Sequence, residues 1–209
     1  MSMLEQTLDQ WLTAISSRTP TPGGGSVAAV TGAMGAGLCA MALEYTRGRK
    51  STDEELDGVL VSVLGALADL RQRLMHQAEE DAAAYQSLRD AHALPKEGDA
   101  EARSQAIEVS LANATESPMR IVRLCRDGLE MIEGLHPRLN RHLATDAGAG
   151  ASLLLTGAAT AALNVRVNLK SVGDSEPATS TRAELDRLLD RCRSLHETVL
   201  AWTASCLDC

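Results

Sequence analysis

Four clusters in this 209-residue chain carry groups suited to chemistry. The first is Pro22-Gly23-Gly24-Gly25-Ser26, a glycine-rich turn that opens into an apolar helix. Glycines free the backbone N–H groups to point outward, and a helix start favours an anion. The turn therefore suits a carboxylate, a phosphate or polar ring atoms; a flexible linker with a serine cap is the plainer alternative. It is neither a Walker loop, which needs Gly-Lys-Ser/Thr, nor a dinucleotide fingerprint after a strand. The second cluster is Glu79-Glu80-Asp81, followed by Ala82-Ala83-Ala84-Tyr85. Three consecutive carboxylates spread over most of a helical turn. Asp81 shares a face with Tyr85, four residues on, and small alanines leave room beside it. A carboxylate in a tight apolar cleft has a raised pKa, which suits an acid or base; a wholly solvated acidic run is the alternative.

The third cluster lies on one apolar segment, with Asn164 and Asn168 near its end and Asp146, after Thr145, at its start. Buried amides need partners, which a ligand or neighbouring backbone can supply. Asp146 suits a helix cap, with or without a ligand role. The fourth is Arg47, Arg49 and Lys50, which either complement a helix dipole or hold an anionic tail. None of the five histidines has metal-ligand spacing, and no Ser or Cys sits in a nucleophile motif, so no metal is expected.

These groups need a scaffold, and composition indicates its kind. Aromatics are only 2% with no Phe, which disfavours a sheet protein and a stacking platform for single-stranded nucleic acid. Ala and Leu dominate, and both form helices. The net charge of −8 argues against nucleic acid as a partner. Cys39, Cys125, Cys192, Cys206 and Cys209 are odd in number and irregular in spacing. They read as reduced thiols of a cytoplasmic protein, with Cys206 and Cys209 forming a terminal C-x-x-C of undefined role. The N-terminus has no basic segment before its apolar residues, so it does not read as a secretory signal.

Periodicity predicts an all-α, single-domain antiparallel bundle of six or seven helices over residues 1–209. An amphipathic first helix covers 2–17, with Leu4, Leu8, Trp11, Leu12 and Ile15 on one face. Prolines and glycines break the chain at 18–25, and a second helix runs from Val27 to Tyr45. Asp53 caps a third that reaches Ala91, ended by Leu94 to Gly98. A fourth spans Ala100 to Leu135, with Pro118 expected to kink or split it. Asn140 to Thr145 connects to a fifth helix from Asp146 to Val172. A polar loop over Gly173 to Ser180 precedes a last helix from Arg182 to Leu207. Positions 23–43 and 147–165 carry no charge. Rich in Ala and Gly, without an aromatic belt, they read as two buried small-residue helices rather than membrane spans. Two such helices bury more surface than a bundle of this length covers, so a homodimer is expected, with the glycine-bearing second helix or the fifth helix near the interface and Gly35 at the close contact.

The order of these blocks resembles the cyclodeaminase/cyclohydrolase family of folate enzymes. The match runs through Pro20 to Ala29, Gly32 to Gly35, Arg47 to Lys50, Asp81 to Tyr85, Leu94-Pro95-Lys96, Asn140 to Asp146, and Asn164 to Leu169. Departures are Tyr85 where Phe is common, Thr145 for Ser, and Gly148-Ala149-Gly150 where a Val-Gly pair often stands. The resemblance implies a helical homodimer acting on tetrahydrofolate derivatives without metal or redox cofactor. It converts 5-formiminotetrahydrofolate to 5,10-methenyltetrahydrofolate and ammonia, or hydrolyses the methenyl compound to 10-formyltetrahydrofolate. It implies that Asp81 transfers the proton. Gly23, Gly24, Gly25, Ser26, Asp146, Asn164 and Asn168 would hold the pterin and its neighbours. Arg47, Arg49, Lys50 and Lys96 are candidates for the glutamate tail. A non-catalytic folate-binding dimer, serving as subunit or carrier, is the alternative.

Overall fold

The computed structural model describes residues 3–97, 99–173 and 175–208. They form α1 (Leu8–Ile15), α2 (Gly24–Glu44), α3 (Glu54–Ala93), α4 (Ala100–Glu133), α5 (Ala144–Val172) and α6 (Glu176–Leu207), with three short 3-10 turns and, among the described residues, no strand. α2, α3, α4 and α5 make a ring in which each helix packs on the next, and α2 and α4 barely touch across it. Neighbours run antiparallel. Ser26 at the start of α2 bonds Ala78 late in α3, whereas Arg47 after α2 bonds Asp57 early in α3. α6 packs along α4 and α5.

The expected bundle and its two small-residue helices are present. α2 and α5 are both long and apolar enough to cross a membrane, yet roughly half of each is buried inside the protein, packed on the other. Their contact is backbone on backbone. A Cβ on Gly35 would lie 2.7 Å from the Gly150 carbonyl and 2.9 Å from the Leu154 nitrogen; one on Gly157 would lie 2.9 Å from the Ala28 carbonyl. Gly35 thus lies inside a single chain's α2–α5 seam, which corrects its expected place near a dimer contact. The same close packing buries Cys39 and Cys125, whose thiols burial pushes up, Cys39 to about 12.

Several boundaries differ from the sequence reading. The first helix is shorter because Thr7 and Gln10 form a capping box that starts α1 at Leu8, after a separate turn at Met3–Glu5. α1 buries none of its residues, with Leu8 and Leu12 exposed; the side chain of Leu4 lies outside the described residues. α2 begins at Gly24, so two of the three glycines are helical. α5 begins at Ala144, and Asp146 is not its cap. α6 begins six residues early because Ser175 caps it and Pro177 falls in the first turn, where no N–H is needed. Gly98 and Cys209 lie outside the described residues.

Pro118 neither splits nor ends α4, which is continuous through it. Lacking an N–H, Pro118 leaves the Ala114 carbonyl without its helical donor. The Asn168 side chain donates to that carbonyl at 2.7 Å. A helix break is thereby replaced by an α4–α5 bond.

Gly35→Leu is expected to destabilise the folded chain itself by about 1–3 kcal/mol or more, since the leucine must separate two backbones. Denaturant unfolding should show this at every protein concentration. An effect that vanishes at high concentration would return Gly35 to a subunit contact.

Candidate active site

Asp81 projects from α3 onto the first turn of α2. The site begins with what this turn lacks. An added Cβ on Gly25 would lie 2.2–2.3 Å from the carboxylate atoms of Asp81, so no side chain fits there. With glycine present, the Ser26 backbone N–H donates to the Asp81 carboxylate. The Ser26 hydroxyl donates to the Ala78 carbonyl at 2.8 Å, holding the turn to α3 one helical turn before Asp81. Gly23 is the helix N-cap without a side-chain bond, and its extended backbone needs no left-handed conformation. The Thr21–Pro22 peptide that leads into it is cis.

A cavity of about 230 Å³ opens beside this contact. Gly23, Gly24 and Gly25 line it from α2's start, Asp81 and Tyr85 from α3, and Asn164 and Asn168 from α5. Asn164 stands against Gly24, where a Cβ would meet its Nδ2 at 3.4 Å. Both amides direct their N–H groups to backbone carbonyls, Asn164 to Thr160 and Asn168 to Ala114. Their amide oxygens are the atoms left to accept from a ligand.

Burial raises the Asp81 carboxyl from 3.8 to about 6, and the Ser26 N–H opposes that rise. The group therefore exchanges a proton near neutrality. Its neighbours in sequence do not share this setting. Glu80 turns to α4, where it pairs with Arg120 at 3.5 Å, and it also accepts from Gln77 of its own helix. Among the described residues, no group of three or more His, Cys, Asp or Glu is placed to hold a metal ion.

The structure brings together the glycine turn, Asp81, Asn164 and Asn168, and separates the other candidates. Asp146 sits at the far end of α5, about 27 Å along the axis from Asn164 at 1.5 Å per residue. Arg47, Arg49 and Lys50 follow the other end of α2, about 30 Å from the glycines. Arg47 is ion-paired with Asp57 and Glu44. Arg49 instead lines a separate hollow with Arg138, Arg141 and His142. Lys96 is exposed beyond the C-terminus of α3. Thr21, Ala114 and Val167 line the site without having been picked out. Val167 falls between the two asparagines on α5, and Ala114 is marked only indirectly, as the residue four before Pro118.

A family model described as formiminotransferase-cyclodeaminase matches residues 7–187. A methenyltetrahydrofolate cyclohydrolase of Methylorubrum extorquens is 35% identical over 93% of this chain and 94% of its own. A formimidoyltransferase-cyclodeaminase of Gallus gallus is 28% identical over 95% of this chain, which spans only 37% of that longer protein. The crystal structure of a formiminotetrahydrofolate cyclodeaminase from Thermotoga maritima has the same fold, with a TM-score of 0.90 at 24% identity over 99% of this chain and all of its own.

The raised carboxyl sets a pH dependence of stability. Folding favours the neutral form of Asp81, so its stabilising contribution is complete below pH 3.8 and is lost as pH rises through about 6. Asp81→Asn keeps the shape and an acceptor for Ser26. Denaturation should find it more stable than wild type at pH 8, with the advantage gone at pH 4. Equal stability at both pH values would mean a solvated carboxylate.

Proposed function

The chain belongs to the formiminotransferase-cyclodeaminase family, and we propose that it is a folate one-carbon enzyme acting at the carbon between N5 and N10 of tetrahydrofolate. The observation that carries this reading is Asp81, half-buried on the first turn of α2 and titrating at about 6. In the cyclodeaminase reaction N10 attacks the formimino carbon of 5-formiminotetrahydrofolate, and the N10 proton passes to the imino nitrogen. Asp81 protonates the departing nitrogen, ammonia leaves, and the methenyl bridge remains. In the cyclohydrolase reaction Asp81 takes a proton from water as its oxygen bonds to the methenyl carbon. The C–N5 bond then breaks as Asp81 returns that proton to N5, the hydroxyl proton leaves to solvent, and 10-formyltetrahydrofolate forms. One carboxyl titrating near neutrality serves either direction, and the scheme uses no metal or redox cofactor.

The end-to-end match with a cyclohydrolase favours the hydrolytic reaction. The family model and the longer relatives favour the cyclodeaminase. The glycine turn and the oxygens of Asn164 and Asn168 would hold the polar edge of the pterin. A cavity of about 230 Å³ is smaller than the roughly 300–1,000 Å³ of most small-molecule sites, so much of the ligand would lie outside it.

A homodimer would complete the site. Alongside it, α2 and α5 present an uncharged outer face with Met34, Leu163 and Val167 all more than half exposed. Pairing two such faces antiparallel across the middle of α2 would place the basic end of one chain beside the glycines of the other. This arrangement returns Arg49 and Lys50 to a role at the glutamate tail. The proposed setting is soluble and cytoplasmic, in keeping with buried free thiols at Cys39, Cys125 and Cys192.

Absorbance of methenyltetrahydrofolate, followed separately from 5-formiminotetrahydrofolate with ammonia release and in the hydrolytic direction, should show turnover in at least one assay. Asp81→Asn should lower it roughly a hundredfold with folding intact. Gly25→Ala should lower it at least about tenfold by displacing the carboxylate, with helix content unchanged. Folate binding without either reaction would leave a binding protein instead. Light scattering should give a dimer at micromolar concentration and a monomer, with turnover lost, for Leu163→Glu. A wild-type monomer that turns over would refute the shared site.

A further inference from the structure

A second cavity is larger than the one at Asp81. It measures about 620 Å³ and lies between α3 and α4. None of the residues lining the Asp81 cavity lines this one. Arg73, His76 and Gln77 form its α3 wall, and Arg120, Arg123 and Arg126 its α4 wall over an apolar floor at Leu124. Asp127 is the one carboxylate among the lining residues. Four guanidiniums thus face one hollow in a chain that carries −8 as a whole.

The arginines differ in how they are held. Arg123 bonds Glu116 at 2.8 Å and Glu184 at 2.9 Å, and Arg126 is fixed by Asp127 and Glu130. These two are rigid parts of the wall. Arg73 reaches only Asp69, at 3.6 Å, and is more than half exposed. Arg120 reaches Glu116 and Glu80 at 3.3 and 3.5 Å and is also more than half exposed. Such exposed pairs contribute little to stability, and both forks can turn to a better partner. Of the acids that pair with these arginines, Asp127 lines the cavity, whereas Asp69, Glu80, Glu116, Glu130 and Glu184 do not.

Gln77 adds a second, independent requirement. It is 7% exposed, and its Nε2 donates to Glu80. Its Oε1 is buried without a hydrogen-bond partner. An unmet buried acceptor costs free energy until a donor arrives. A bare anion supplies none. A ligand that satisfies the whole wall therefore carries oxyanion groups for the arginines and an N–H for Gln77.

We propose that the α3–α4 cavity is a second binding site, for a small ligand that combines two or more oxyanion groups with an N–H donor. A short acidic peptide chain and a nucleotide share this chemistry. The cavity lies on the edge of the four-helix ring opposite the α2–α5 face, so it stays open in the dimer described above.

Titration calorimetry on the full chain tests this with tri-glutamate and ADP, which carry N–H donors, and with tricarballylate and pyrophosphate, which do not. At least one of the first two should bind with a dissociation constant below about 1 mM. The tighter of them identifies carboxylate or phosphate as the oxyanion. Arg73→Ala with Arg120→Ala should weaken that binding about tenfold or more. Gln77→Met should erase the preference over the probe without an N–H. Asp81→Asn should leave the binding unchanged. Absence of heat from both N–H-bearing probes at millimolar concentration would overturn the proposal. So would equal binding by the double arginine variant, or loss of binding with Asp81→Asn, which would place the ligand at the catalytic cavity.

Discussion

The fold's chemistry depends on one contact, the Asp81 carboxylate resting on the first turn of α2. Two opposing effects meet there. Removal from water pushes the carboxyl toward its neutral form, and the Ser26 N–H at a helix start pulls it toward the charged form. The balance near 6 suits proton transfer at neutral pH. It exists only because Gly25 has no side chain. A methyl group at that position would occupy the space of the carboxylate itself.

Much of the scaffold serves to hold that contact. The Ser26 hydroxyl anchors the turn to α3, and close packing of α2 on α5 fixes where the turn points. The small residues of this seam, Gly35 and Gly150 among them, lower helix propensity but let two backbones meet. Pro118 belongs to the same system. The carbonyl it leaves free on Ala114 is the acceptor that fixes Asn168 at the cavity. A residue that reads as a break is a positioning device for a side chain on another helix.

The charge distribution follows a similar division. The Asp81 cavity contains one titrating carboxyl and neutral amides, whereas four arginines gather on the opposite edge between α3 and α4. Glu80 faces the arginines and Asp81 faces α2, although they are adjacent in the chain. One helix therefore serves two environments of opposite electrostatic character through the angular offset between successive residues.

Local rules determined a good part of this protein from sequence. Ala and Leu content, the lack of Phe and the apolar periodicity specify an all-helical bundle. Asp53, and the two uncharged segments, mark real elements because capping and hydrophobic burial act within a few residues. The glycine turn, Asp81 and the two asparagines stand out because each is costly or unusual in a helix without a partner. Distance was beyond the reach of the sequence. Asp146 and Arg47 lie in blocks of the same family resemblance as Asp81, yet a helix rises 1.5 Å per residue and carries them to the other end of the bundle. Only the tertiary structure selects Gly25 among three glycines, pairs Asn168 with the carbonyl that Pro118 releases, and collects arginines from two helices around one cavity. These outcomes follow from the register in which separate helices pack, which no local pattern encodes.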